Sequence, residues 1–251
     1  MKWNKHNMSE ALDPRLNEPF GVGRNAGRLL FDFAAMLSAF ADHDNNHVLD
    51  FGCGTGWISE FLCRAGFDVT GVDINTNSEE IFGKRLQTDK RITPSRFRFR
   101  HADGHRLSFN DGTFGHLVCF DSLHHMADYR KVFAEMYRVL DPHGRAVFVE
   151  PGARHSSSNE TREFVEKYKK DDPTWLEKDV ILEEIFALAK EVGFQDAKIL
   201  PHLLPNMKIY DMEEWIQFAK GKKVGGVLGI DYMRHLADLN YNGRIIFYLQ
   251  K

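Results

Sequence analysis

The sequence lacks the features that would place it in a membrane, in an oxidising compartment or on nucleic acid. No stretch approaches about 18 consecutive apolar residues, and residues 1–10 are polar, so we expect neither a membrane span nor a signal peptide. Its three cysteines form no CxxC pair, which favours reduced thiols over disulfides. The net charge of −3 provides no overall attraction to nucleic acid or to anionic lipid. We therefore expect a cytoplasmic protein that binds neither.

A regular alternation of short apolar runs with helical segments is present. It predicts βαβ units and a parallel sheet, because parallel neighbours need crossover connections. Strands are predicted near 47–51, 67–72, 96–101, 115–121, 145–150, 197–200 and 244–249. Helices are predicted near 25–40, 56–65, 78–86, 128–139, 181–192 and 211–220.

One α/β domain, residues 25–251, accounts for this pattern, and residues 1–24 form a cap segment in front of it. The alternation stops after the fifth strand, where residues 152–178 are polar, and residues 201–235 contain several glycines. We expect lid insertions in both stretches. Their aromatic side chains either line a binding site for a small molecule or pack inside the lid. They are Phe164, Tyr168, Trp175, Tyr210 and Trp215.

The most informative segment is the end of the first strand, residues 48–57. The strand carries Asp50 near its end and runs into glycines at 52, 54 and 56 before a helix begins. A backbone that turns sharply against a ligand has no room for a Cβ, and open α/β sheets bind ligands at this edge. A dinucleotide loop needs glycine where this chain has Trp57, so the spacing disfavours a nicotinamide nucleotide. The alternative is a tight structural turn.

Acids also follow the second and third predicted strands. Asp73 lies at the tip of the second strand, where a carboxylate can accept both ribose hydroxyls of an adenosine, although an Asp there also caps helices. Asp103 follows the third strand at the same sheet edge. Arg96, Arg98 and Arg100 alternate with phenylalanines in that strand, which is typical of a guarded edge strand; the alternative is a site for an anionic partner.

Groups suited to proton transfer follow the fourth and fifth strands. His124 and His125 come directly after the fourth, and Glu150 ends the fifth. An imidazole titrates near neutral pH and acts as a base when a carboxylate orients it, so these three residues are the catalytic candidates. Alternatively the histidines cap or pack under the next helix. His155 is a weaker candidate within a polar loop, and no metal-ligand set is evident.

Residues 47–150 resemble the class I S-adenosylmethionine (SAM)-dependent methyltransferases in their G-x-G-x-G loop and in the acids after the strands. The resemblance implies a Rossmann-like seven-stranded sheet of order 3-2-1-4-5-7-6, with the last strand antiparallel and helices on both faces. It implies SAM as cofactor, S-adenosylhomocysteine as product and Asp103 near the adenine amino group. Gly115 departs from the family, which usually has an acid there. The implied cofactor contacts are Asp50, Gly52, Cys53, Gly54, Gly56, Trp57, Asp73, Ile74, Ala102, Asp103, Gly104, Asp121 and Ser122.

The Leu-His-His-Met run of residues 123–126, with Glu150 25 residues beyond its second histidine, is similar to that of sugar O-methyltransferases. This implies methyl transfer to a hydroxyl of a small molecule such as a sugar, with histidine and carboxylate as the base. Transfer to nitrogen or carbon, and a non-catalytic SAM-binding protein, are the alternatives. The sequence leaves the acceptor and the oligomeric state open.

Overall fold

Seven strands form one sheet in the computed structural model, which describes residues 14–20, 23–170, 172–201, 212–221 and 229–251. The order is β3-β2-β1-β4-β5-β7-β6, β7 is antiparallel to both neighbours and the other pairs are parallel, as the resemblance implied. The strands are β1 (His47–Phe51), β2 (Asp68–Asp73), β3 (Phe97–His101), β4 (Phe114–Phe120), β5 (Leu140–Pro151), β6 (Asp196–Leu200) and β7 (Arg244–Gln250).

Helices connect the strands, and two of those in the described ranges were not predicted. One lies in the stretch that the sequence analysis read as a polar lid, and the other follows the glycine-containing segment. The helices are α1 (Gly23–Ser38), α2 (Trp57–Arg64), α3 (Asn77–Thr88), α4 (Tyr129–Val139), α5 (Asn159–Tyr168), α6 (Leu182–Val192), α7 (Met212–Ala219) and α8 (Gly229–Asn242). The unpredicted helices are α5 and α8.

Two apolar clusters cover the two faces of the sheet. The central strand β4 is buried along its whole length, as expected for a strand with helices on both sides. Phe133 of α4 and Phe148 pack on one face, and Met36 of α1 and Trp57 pack on the other. Because both faces are covered, ligands reach the sheet at the carboxyl ends of the strands, where the loops that follow the strands meet.

The structure explains why Gly115 departs from the family pattern. A Cβ at this position would lie 1.9 Å from the carbonyl oxygen of Asn45, so the approach of residue 45 excludes a side chain. Strand β4 still forms, and its pairing with β5 is irregular between Phe114 and His116. The local geometry is therefore altered at this point while the strand order is kept.

Strand β3 is the edge strand that the alternating arginines predicted. Arg96 binds the carboxylate of Asp68 at 3.0 Å, and the Arg98 Nη2 lies 3.1 Å from Nε2 of His47.

Each helix that the structure describes is too short or too polar to cross a membrane. Several predictions concern residues outside the described ranges, namely the cap over 1–13 and the lid around Tyr210; the same holds for the side chain of Trp215.

Candidate functional site

The glycine loop follows β1 and is hydrogen-bonded to the carboxyl end of β2. The amides of Gly52 and Cys53 both donate to the carbonyl of Val72, at 2.9 and 3.0 Å. The amide of Gly54 donates to Oδ2 of Asp73 at 2.7 Å, and the amide of Asn75 donates to Oδ1 at 2.8 Å. Asp73 is thus oriented by one backbone amide on each oxygen, and each oxygen keeps capacity to accept another hydrogen bond.

The three loop glycines differ in what surrounds them. A Cβ on Gly52 would collide with the Ser122 side chain, and one on Gly56 would lie 2.3 Å from the ring of Phe82. No atom of the described residues lies within 4 Å of the corresponding position on Gly54, whose φ is +49°. Gly52 and Gly56 are therefore needed for packing, whereas Gly54 presents an open backbone surface to a ligand.

Three predicted cofactor contacts lie under the loop instead of on its open side. Asp50 is 1% exposed, and its Oδ2 accepts a hydrogen bond from the Ser59 hydroxyl at 2.6 Å. Burial raises the pKa of Asp50 to about 7. The side chains of Cys53 and Trp57 pack in the core. All three side chains are buried, Cys53 at 7% and Trp57 at 6% exposure, and their contact with the cofactor stays a prediction.

The tips of β2 and β3 provide the remaining predicted contacts on this side. Ile74 is 69% exposed, which leaves an apolar surface beside Asp73. The amide of Ala102 donates to the carbonyl of Asp73 at 3.1 Å and links the two strand ends. Asp103 accepts from the amide and the imidazole of His105, and Gly104 packs on the ring of Phe51. Whether Asp103 binds adenine stays a prediction.

Asp121, at the end of β4, is held by an ion-pair network. Its two carboxylate oxygens bind the guanidinium of Arg244, which also contacts the buried Asp32 of α1 at 2.9 Å. Burial opposes ionisation, but the charge and hydrogen bonds of Arg244 outweigh it and lower the pKa of Asp121. The Ser122 amide donates to Glu150, and its side chain packs on Gly52. Both residues therefore fix the turn after β4.

His124 and Glu150 form a buried pair at the carboxyl ends of β4 and β5. Nδ1 of His124 lies 2.7 Å from Oε2 of Glu150, whose other oxygen accepts from the amides of Ser122 and Leu123. Glu150 is fully buried, so it orients the histidine and the 3₁₀ turn Leu123–His125 without reaching the surface. Burial lowers the pKa of His124, but the hydrogen bond and charge of Glu150 outweigh this and raise it overall.

His125 faces a residue from the lid segment. Its Nδ1 donates to the carbonyl of Leu176 at 2.7 Å, which leaves Nε2 with the lone pair. The ring lies 3.9 Å from that of His124 and 5.1 Å from Trp175, between centroids. Burial and the neighbouring His124 lower the pKa of His125. With a side chain that is 33% exposed, His125 is the more accessible of the two histidines.

Glu177 completes this group of side chains, and the sequence analysis did not identify it. Its Oε2 lies 2.7 Å from Nε2 of His155 and 3.4 Å from Nε2 of His124, and its Oε1 accepts from Nε1 of Trp175 at 2.8 Å. The side chain is only 5% exposed. One ligand atom from each of His124, His125 and Glu177 lies within 4.8 Å of the others, so these three form a group among the described residues that could hold a metal ion.

A signal for α5 was present in the polar stretch. Ser158 caps the helix by accepting from the amide of Thr161 at 3.1 Å, and Phe164, Val165 and Tyr168 follow at helical spacing. Recognising that cap would have predicted a helix after His155. Glu177 lies beyond the helix in an irregular segment, and nothing in its neighbours predicts contact with the histidine pair.

A cavity of about 380 Å³ lies next to Glu177. Trp175 and Leu176 form part of its wall, and most of the other lining side chains are polar or charged. The ring of Trp175 is stacked with that of Tyr168, at 5.5 Å and 24°. The polar and charged lining includes Ser156, Thr161, Arg162, Glu166 and Lys169.

Comparisons with known proteins agree with this arrangement. A family described as "Methyltransferase domain" matches residues 49–148. An O-methyltransferase of Penicillium expansum is 28% identical over 191 residues, which cover 73% of this chain and 63% of that protein. A demethylmenaquinone methyltransferase of Clavibacter sepedonicus is 33% identical over 116 residues, covering 46% of this chain and 45% of that protein. The chain thus spans less than two thirds of either relative.

Among solved structures, a SAM-dependent methyltransferase from Mesorhizobium loti superposes with a TM-score of 0.60. The similarity covers 88% of this chain and 98% of that one, at 15% sequence identity. At this level of identity the likeness shows a shared fold.

Proposed function

We propose that this chain, which carries a class I SAM-dependent methyltransferase domain, transfers a methyl group to a hydroxyl of a small molecule. The family match, the strand order and the named relatives confirm the domain. The observation that carries the proposal is that the amide-oriented carboxylate of Asp73 and an imidazole cluster both lie at the carboxyl ends of the strands. One holds the donor, and the other acts on the acceptor.

The residues at the ends of β1 and β2 fit SAM. Both oxygens of Asp73 are oriented by backbone amides and can still accept the two ribose hydroxyls. The open backbone surface of Gly54 suits the close approach of the ligand, and the exposed Ile74 offers an apolar surface to the adenine. When bound, SAM supplies a methyl group on a sulfonium that is already a good leaving group.

The imidazole cluster, defined as His124, His125 and Glu177, supports a hydroxyl acceptor. An alcohol is a poor nucleophile until it loses its proton, so the enzyme must assist its removal. His125 keeps the lone pair of Nε2, because Nδ1 donates to Leu176, and its side chain is 33% exposed. Glu150 and the carbonyl of Leu176 hold the two rings in place, so little rearrangement is needed at the moment of reaction.

The acceptor class follows from the cavity beside Glu177. Its lining combines an aromatic ring with several hydrogen-bonding side chains, a combination that suits a hydroxylated ring such as a sugar. The relative from Penicillium expansum, which is named an O-methyltransferase, supports oxygen as the acceptor atom. We therefore infer a sugar or a related hydroxylated metabolite as substrate.

The test is transfer of isotope-labelled methyl from SAM to a panel of sugars, nucleotide sugars, phenols and matched amines. We expect S-adenosylhomocysteine to form and the label to appear as an ether, identified by mass spectrometry and NMR. Label found only on nitrogen or carbon would contradict the hydroxyl acceptor. Tight SAM binding without S-adenosylhomocysteine formation across the panel and with cell-extract metabolites would contradict the enzyme assignment.

A further inference from the structure

We propose that His124, His125 and Glu177 bind a divalent transition-metal ion. One nitrogen of each imidazole and one carboxylate oxygen come within 4.8 Å of one another. Two imidazoles and one carboxylate are a ligand set used by zinc hydrolases and by non-haem iron enzymes. Nitrogen donors favour zinc, iron, cobalt or nickel over magnesium, which prefers oxygen ligands.

The partners of the two histidines resemble those of metal-bound histidines. A metal-ligating imidazole almost always donates its other N–H to a carboxylate or a backbone carbonyl. Nδ1 of His124 is paired with Glu150 at 2.7 Å, and Nδ1 of His125 is paired with the carbonyl of Leu176 at 2.7 Å. Both rings are therefore oriented through Nδ1, and Nε2 of His124 faces Glu177 at 3.4 Å. For His125 it is Nδ1 that lies 3.7 Å from Oε1 of Glu177, so its Nε2 binds the shared ion only if the ring turns.

The distance between the ligand atoms also fits a shared ion. Nε2 of His124 lies 3.4 Å from Oε2 of Glu177. This is longer than the usual range for an N–H···O hydrogen bond, about 2.7–3.2 Å. Two ligands of a tetrahedral ion at about 2.0–2.1 Å from the metal are separated by roughly 3.3 Å. The separation of these two atoms is close to the second value.

Two buried carboxylates lie beside the histidine pair. Glu150 and Glu177 are almost completely buried, and burying a carboxylate is costly unless a positive charge compensates it. Lys178 is adjacent in sequence, but its ammonium binds the carbonyl oxygens of Met126 and Ala127 instead. Glu150 accepts from the amides of Ser122 and Leu123 and pairs with His124. Glu177 pairs with imidazoles and with the indole of Trp175, and a divalent ion between the imidazoles and Glu177 would add positive charge beside both carboxylates.

The surroundings leave room for a further ligand. Trp175 and His155 hold the Glu177 carboxylate, and the side chain of His125 is 33% exposed, so solvent reaches this member of the cluster. Three protein ligands with one open position are typical of catalytic metal sites. A role in lowering the pKa of an acceptor hydroxyl that occupies this position rests on the proposed function; the binding of the metal itself does not.

The test is metal binding by the full chain in the absence of SAM. After removal of bound metal with a chelator, titration with Co²⁺ and Zn²⁺ is followed by visible absorption and calorimetry. We expect uptake of a single equivalent, with Co²⁺ absorption bands of a site containing nitrogen ligands. Binding of a metal with no methyl transfer would contradict the proposed function alone, and methyl transfer unaffected by chelation with no metal uptake would contradict the metal site alone.

A series of variants separates this site from adventitious binding to surface histidines. We expect Glu177→Gln to weaken Zn²⁺ binding by more than about 100-fold. Glu150→Gln alters the partner of His124 without removing a ligand, and it should weaken binding by about 10–100-fold. Glu163→Gln on α5 and His235→Gln on α8 are matched exposed controls that should not change it. Equal affinity in the wild type and in a folded Glu177→Gln variant, checked by thermal melting, would overturn the proposal.

Discussion

The two halves of the candidate site are held in place by different kinds of interaction. On the cofactor side, defined as the loop 52–56 with Asp73 and Ile74, backbone amides and short-range turns do most of the positioning. On the acceptor side, defined as the imidazole cluster with Glu150 and His155, side chains from segments far apart in sequence meet each other. His124 and Glu177, for example, are separated by 53 residues.

This difference implies different tolerances to change. A backbone-built site needs glycine at given positions and few side chains, so one local motif describes it. A site built from side chains depends on where the lid segment places Glu177, and lid segments vary between proteins of one fold. A shared cofactor is thus compatible with many acceptors, and variants of the two halves should affect separate steps.

The largest expected effect lies on the acceptor side. His125→Gln should lower turnover by at least about 100-fold, because assisted proton removal typically contributes 10²–10⁴-fold. The dissociation constant for SAM should change by less than about threefold, because the cofactor side shares no contact with this ring. The measurements are steady-state kinetics with an acceptor from the panel and calorimetry with SAM.

The control for this variant is His235→Gln, an exposed histidine of α8. Losses of less than about tenfold for His124→Gln, His125→Gln and Glu150→Gln alike would remove the cluster from the chemistry. A loss of SAM affinity equal to the loss of turnover would instead show that the two halves are not independent.

A smaller effect is expected on the cofactor side. Asp73→Ala removes the proposed acceptor of two ribose hydroxyls, and two hydrogen bonds to a charged group contribute about 3 kcal/mol at the lower end of their usual range. We therefore expect SAM to bind about 100-fold more weakly, measured by calorimetry. The turnover of the enzyme saturated with SAM should fall much less, because Asp73 does not contact the imidazole cluster.

Asp196→Ala serves as the matched control, since Asp196 begins β6 at the opposite end of the sheet. The variant must first be shown to be folded, by a melting temperature close to that of the wild type. If its affinity for SAM is then unchanged, the nucleoside binds elsewhere and the proposed SAM site is wrong.

The fold was largely predictable because its signals are local. Apolar periodicity and the turn after Phe51 identified the strands within one or two residues for most of them, and Gly193 ended α6 as a C-cap. Helix α5 was missed because its polar residues dominate the pattern. Strand β5 begins earlier than predicted, at Leu140, where an irregular pairing with Phe114 extends it.

The positions of the candidate residues were largely predictable around β1 and β2 and only partly around the imidazole cluster, while their roles stay predictions. The position of Asp73 follows from its place at a strand tip, and the pairing of His124 with Glu150 follows from two neighbouring strand ends. Asp50 carries the same sequence signal as Asp73, but its carboxylate is buried and accepts a hydrogen bond from Ser59 of α2. The contact of Glu177 depends on the path of an irregular segment, and no local rule gives that path.

The smallest expected effect concerns the sheet beneath both halves, and it sets the pH range in which they can be compared. His116 of β4 is 2% exposed and stacks on Phe40, with ring centroids 4.4 Å apart. Burial, followed by the charges of His43 and Arg145, lowers the pKa of His116 to about 4. As the pH falls below about 6.5, the unfolded chain gains a proton that the folded chain does not bind, and stability is lost until about pH 4.

Between pH 7.5 and pH 5 this difference corresponds to a loss of about 2 kcal/mol in the free energy of unfolding. His116→Phe keeps a ring that can stack on Phe40 and removes the titrating group. Denaturant unfolding at the two pH values should therefore show a loss in the free energy of unfolding that is about 2 kcal/mol smaller than in the wild type. His47, whose pKa is also lowered to about 4 by burial and Arg98, makes the same kind of contribution in both proteins. An equal loss in wild type and variant would show that His116 does not titrate on unfolding. If the losses differ as expected, the pH dependence of activity can be interpreted. An acid loss of activity whose midpoint pH is the same in His116→Phe and in the wild type comes from the site and not from unfolding.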